Sequence, residues 1–155
     1  MKKILVAIIL YLFFIPSSFS HLQHYSEIKY LEYGLYRNND LIGSHKYDFT
    51  NNGDNLIVKS VVNFKISKLG IDLYKYFAES TESYQKNLFK SFSSTTIQNK
   101  KNKYVKISAN NKKKKLYIDG SYYKGDADIE YMVGTWWNHE IVKAKAQISA
   151  ISGRI

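Results

Sequence analysis

Cysteine is absent from the chain. That excludes a disulfide framework, a thiol nucleophile and a cysteine-ligated zinc or iron–sulfur centre. It also excludes the lipid-modified end of a bacterial lipoprotein. Proline occurs once, at Pro16, and no proline- or serine-rich linker divides the chain. Arginine is limited to Arg37 and Arg154 among 23 basic residues. Phosphates and base edges are read best by the guanidinium fork, so this lysine-dominated charge argues against a nucleic-acid partner. Acids are scarce, 13 against those 23 bases, and the formal charge is +10. Gly-x-Ser-x-Gly elbows, phosphate-cradling glycine loops and His-Glu-x-x-His are all missing.

What is present begins with an export signal. Met1-Lys2-Lys3 is a short basic start, and Ile4 to Ile15 are twelve consecutive apolar residues. Pro16 follows, and small residues stand at Ser18 and Ser20 around a cleavage point. These are the three regions of a secretory signal peptide, 1–20. Twelve residues fall short of the roughly 20 that a spanning helix needs. Cleavage after Ser20 leaves a product starting at His21, without an integral membrane span. Losing Lys2 and Lys3 lowers the charge from +10 to +8. The expected location is the periplasm or the exterior.

The remainder divides into a flexible 21–27 and a single β-rich domain over 28–155. Turn signals separate the strands at Asn38-Asn39-Asp40, Asn51-Asn52-Gly53-Asp54 and Lys68-Leu69-Gly70. In the third strand Leu56, Val58, Val62, Phe64 and Ile66 share one parity, and Lys59, Asn63 and Lys65 the other. Such alternation marks a sheet with one buried face. Strands are predicted over 28–37, 41–50, 56–66, 71–84, 88–99, 103–109 and 116–119. The fold class is mainly β, an antiparallel meander forming one curved sheet or a partly open barrel. One short helix is expected near 137–146, with Trp137, Ile141 and Ala144 on one face. Ala146 to Ile155 reads as a further apolar strand, a pairing hazard if it stands at an open edge.

The order of residues resembles DUF family 6134, exported bacterial β-rich proteins of unknown function. Leu41-Ile42-Gly43-Ser44-His45 resembles that family's apolar-Ile-Gly-polar-His/Arg strand. Phe64-Lys65-Ile66, Leu69-Gly70-Ile71 and Leu73-Tyr74-Lys75-Tyr76 resemble its next two strands. Thr81-Glu82-Ser83-Tyr84 resembles its Thr-Glu-x-Trp, with Tyr84 in the Trp place, and Trp137-Asn138 its Trp-Asn pair. Ser149-Ala150-Ile151-Ser152-Gly153 stands where the family carries a Thr-Gln pair, absent here. The resemblance implies export and fold, and further strands beyond Ile155. It implies no activity.

Candidate chemistry is sparse. Trp136, Trp137, Asn138 and His139 offer aromatic walls beside polar groups, as a small-molecule site does. The same residues also read as one core Trp, one surface Trp and a helix cap. His21 and His24 form a His-x-x-His pair. With a free amino group at His21 they resemble copper-brace ligands, and with a solvated chain end they ligate nothing. No other metal site and no cofactor is suggested. The carboxylates, Glu79 and Glu82 among them, are scattered. Eight lysines and no acid lie between Asn99 and Leu116. Lys100, Lys101, Lys103, Lys112, Lys113, Lys114 and Lys115 are candidates for an anionic envelope surface, or are solvated hairpin tips. The sequence therefore favours a non-catalytic module holding a lipid-like ligand or docking an envelope partner, ahead of a hydrolase acting on an envelope component.

Overall fold

The computed structural model describes Tyr25 and residues 27–155. Eight strands follow one another as an antiparallel meander, paired in chain order. They are β1 (Tyr30–Arg37), β2 (Asp40–Asn52), β3 (Asn55–Lys68), β4 (Ile71–Gln85), β5 (Leu88–Gln98), β6 (Lys101–Asn110), β7 (Lys115–Gly120) and β8 (Lys124–Asp128). The sheet does not close; β1 and β8 are its edges. The turns are tight because their residues tolerate left-handed backbone. Asn38 and Asn39 have φ of 50° and 69°, and Asn87 and Asn99 lie at 61° and 45°. Two-residue turns of this hand match the right-handed twist of the strands they join.

Register brings the apolar parity onto one face. Tyr47 lies opposite Ser60, and Phe49 opposite Val58. Val58 in turn faces Glu82 and Leu56 faces Tyr84. Phe92 faces Ile107, which faces Ile118. That face is covered by the chain's own last segment, from Ile129 onward. It carries β9 (Met132–Val133), a 3₁₀ helix (His139–Lys143) and β10 (Gln147–Ile148), with β9 and β10 paired in parallel. Val133, Trp137, Ile141 and Ile148 are buried, so the segment supplies the second layer of the core.

The expected helix is this five-residue 3₁₀ turn. Asn138 caps it, its side chain accepting from the Glu140 N–H. The apolar chain end does not extend the sheet. Ile148 is fully buried, and the Ser94 hydroxyl donates to the Ala150 carbonyl at 2.5 Å. Gly120 permits the approach, since a Cβ there would stand 2.7 Å from the Ser152 carbonyl.

Candidate functional site

Between sheet and covering segment lies a buried carboxylate. Glu82 is on β4 with the parity of Tyr84 and Ala78, so its side chain enters the core; it is 4% exposed. Glu79, three residues earlier, is exposed. The Tyr84 hydroxyl donates to one Glu82 oxygen. The other accepts from Thr135 Oγ1 at 3.0 Å and Trp137 Nε1 at 2.8 Å. Two elements thus converge, the sheet through Glu82 and Tyr84 and the cover through Thr135 and Trp137. Burial pushes the Glu82 carboxyl above its usual range, while the three donors pull it back. Tyr84, buried beside that carboxyl, is held well above the usual phenol value. The Tyr47 hydroxyl adds another clasp, donating to the Thr135 carbonyl at 2.6 Å.

Hollows lie on either side of this clasp. The first, of about 270 Å³, is walled by Tyr84, Phe89, Ile129, Tyr131, Met132 and Val133. Its polar groups are Glu82, Asn138, Glu140, Asn87 and Glu130. Glu130 is bonded by Lys145, and Glu140 by Lys143 at 3.2 Å. The result is an apolar floor with polar groups converging on it, the usual composition of a small-molecule site.

The second hollow is smaller, about 130 Å³, and richer in hydroxyls. Ser60, Ser80, Ser94, Thr96 and Thr135 line it with His45 and Trp136. Ser60 Oγ lies 2.8 Å from His45 Nε2, and Tyr47 Oη lies 3.4 Å from His45 Nδ1. The single Tyr47 proton is committed to Thr135, so Tyr47 accepts from His45. With the His45 proton on Nδ1, Nε2 is free to accept from Ser60. Burial lowers the His45 pKa and keeps the ring neutral at neutral pH. The serine and imidazole are set as a nucleophile and its base.

The Trp pair diverges. Trp137 is core, edge-on to Tyr25 at 5.0 Å and to Phe49 at 5.6 Å. Trp136 is 70% exposed, with a left-handed φ of 66°, beside the second hollow. Asn138 is buried at the first hollow. The Tyr25 hydroxyl accepts from the His139 backbone N–H at 3.2 Å and is hydrogen-bonded with His139 Nδ1 at 2.8 Å. Trp136 to His139 thus do not form one pocket.

The lysine run is likewise divided. Lys100 lies in the turn before β6, and Lys101 begins that strand. Lys112, Lys113 and Lys114 stand in the turn after it, roughly 30 Å away at the usual strand rise. Lys103 donates to Gln98 at 2.5 Å and lies over the Tyr122 ring. Lys115 pairs with Asp126 at 2.7 Å. His21 and His24 lie outside the described residues. Among the described residues, no His, Cys, Asp or Glu cluster is arranged to hold a metal ion. No helix among them is long and apolar enough to cross a membrane.

Sequence reasoning passed over Glu82 and the His45–Ser60 pair. Parity was the available signal. An acid in phase with Ala78 and Tyr84, and a histidine in phase with Tyr47 and Phe49, must face the covered side.

Comparison with known proteins adds one relationship. No curated protein and no solved structure matches the chain. A family model matches residues 33–155, which include Glu82, Trp137 and both hollows. The chain belongs to that family, the domain of unknown function DUF6134.

Proposed function

We propose that the protein is exported and acts in the periplasm or outside the cell as a non-catalytic binding module. It holds a small apolar or amphipathic ligand in the hollow beside Glu82. The observation that carries this reading is the apolar floor of Phe89, Ile129, Met132 and Val133 around the rim of Asn138, Glu140 and the Glu82 clasp. A volume of about 270 Å³ lies just under the usual ~300–1,000 Å³ for ligand sites. The guest is thus a short chain, one ring, or the end of a longer lipid. The test uses the fluorescent apolar probe N-phenyl-1-naphthylamine with the protein isolated from its own cells. Saturable uptake that Met132→Trp abolishes, with an unchanged unfolding curve, supports the reading. Absence of uptake sinks it. N-terminal sequencing of the same material tests export, with His21 as the expected first residue.

A second reading is favoured by the His45–Ser60 geometry, with Ser60 Oγ 2.8 Å from Nε2 of a half-buried imidazole. Ser60 Oγ would attack the carbonyl of a short acyl ester as its proton passes to His45 Nε2. The alcohol would leave with that proton, and water would then release the acid from Ser60. Diisopropyl fluorophosphate should add its phosphoryl mass at Ser60 and fail to do so in His45→Ala. An unlabelled Ser60 at millimolar reagent rejects this chemistry.

A further inference from the structure

At one end of the sheet the β3–β4 hairpin continues beyond the strand pairing on both of its sides. The β5–β6 turn stops at Lys75, where Asn99 exchanges two hydrogen bonds with the Lys75 backbone. On the other side, β2 pairs with β3 only as far as Phe64. Residues 65–75 therefore form a two-stranded finger with no strand paired to either edge, and the end of the β1–β2 hairpin lies beside it across a hollow. The finger's tip is apolar: Leu69 is 93% exposed, Ile71 66%, and Leu73 is also exposed. Leu41, on the adjoining hairpin, lines the same hollow as Leu73.

Leu69 is anomalous twice over. It occupies the first position of a two-residue turn with φ of 51°, followed by Gly70 at 77°. Such a turn favours Asn or Asp at that position, because a branched side chain crowds the left-handed backbone. The hairpin turns Asn38-Asn39, Lys86-Asn87 and Asn99-Lys100 each use Asn. Here a large apolar side chain is both in a disfavoured conformation and in water. Neither folding nor solubility gains from it.

The surroundings indicate what the tip meets. Arg37, Lys65, Lys68, Lys75 and Lys100 border the two hollows flanking the finger. The acids nearest the tip are Asp40 and Asp72, and Lys75 holds Asp72 at 2.8 Å. Glu32, farther down, is held by Lys46 at 3.1 Å. An apolar point collared by an excess of cations complements an anionic bilayer: aliphatic side chains enter the acyl boundary and ammonium groups meet the headgroups.

We infer that the β3–β4 finger is a membrane-surface anchor, inserting Leu69, Ile71 and Leu73 into an anionic lipid leaflet with its collar of basic residues on the headgroups. This site lies apart from the hollow beside Glu82 and does not depend on it. Co-sedimentation with vesicles of phosphatidylglycerol and phosphatidylcholine, against pure phosphatidylcholine, tests it on the protein isolated from its own cells. Binding should require phosphatidylglycerol and weaken with salt. Leu69→Asn should reduce it about ten- to a hundredfold, the loss expected for one buried leucine, without lowering the melting temperature. Lys68→Ser should reduce it about fivefold, as for one basic group near the surface. Equal binding to both vesicle types, or unchanged binding by Leu69→Asn, overturns the inference. So does a dimer that Leu69→Asn dissolves, since the tip would then serve a second copy.

Discussion

Replacing Glu82 by leucine should destabilise the fold, and replacing it by glutamine should do so less. In the parent, three buried donors end on this carboxylate: Tyr84, Thr135 and Trp137. Leucine leaves them without an acceptor. Thr135 has a fallback in the Val133 carbonyl at 3.5 Å, so two donors are orphaned. Each orphaned buried donor costs about 1–3 kcal/mol. Removing a buried carboxyl recovers part of this, for a net loss of about 2–4 kcal/mol. That is a large share of the ~5–15 kcal/mol typical of a domain. Glutamine keeps an oxygen for Trp137 and Thr135 and lets Tyr84 accept from its amide, so only the Tyr84 proton loses its acceptor and the cost is about 1–2 kcal/mol. Urea unfolding at pH 7, followed by Trp fluorescence, measures both. In a double-mutant cycle, Trp137→Phe should recover about 1–2 kcal/mol of the leucine loss. A leucine variant within 0.5 kcal/mol of the parent would refute the view that this carboxylate clasps the cover to the sheet. So would leucine and glutamine variants of equal stability.

The same carboxyl sets a pH dependence. Because burial raises its folded pKa above the ordinary 4.5, the folded protein holds more protons than the unfolded chain between those two values. Its contribution to stability therefore falls as pH rises through that window. Stability curves of parent and Glu82→Gln should separate in the variant's favour from pH 4.5 upward. A constant gap between them denies the raised pKa. Exposed acids act oppositely: Lys75 and Ser67 hold Asp72 at about 2, so its small contribution is lost as pH falls toward that value. Gly43→Ala should cost several kcal/mol or prevent folding, since a Cβ there would lie 2.1 Å from the Asn63 carbonyl. A circular-dichroism melt within a few degrees of the parent would contradict that contact. Leu69→Asn should raise stability by about 1 kcal/mol in urea unfolding, by relieving the left-handed leucine. A loss of stability would mean that Leu69 packs in the folded chain.

The strand plan was legible because its code is local. Alternating parity and Asn-rich turns are read within a dozen residues, and seven strands fall within a few residues of their predicted bounds. β8 (Lys-Gly-Asp-Ala-Asp) escaped notice because it buries only Ala127. β9 and β10 were illegible because two-residue strands exist only through the segment's contacts with the sheet. The lysine run shows the opposite failure. Residues adjacent in sequence were parted by the length of β6, while Lys65, Lys68 and Lys100, distant in sequence, border one end of the sheet. Gly43 gains a physical reason from the fold: the family-like Ile-Gly pair sits where β3 passes too close for any side chain.

Native mass spectrometry of the protein purified from its own cells tests the binding role most directly. A small amphipathic mass should be bound to the parent, retained by Leu69→Asn and lost in Met132→Trp. A parent that carries no added mass and takes up no apolar probe would contradict that role.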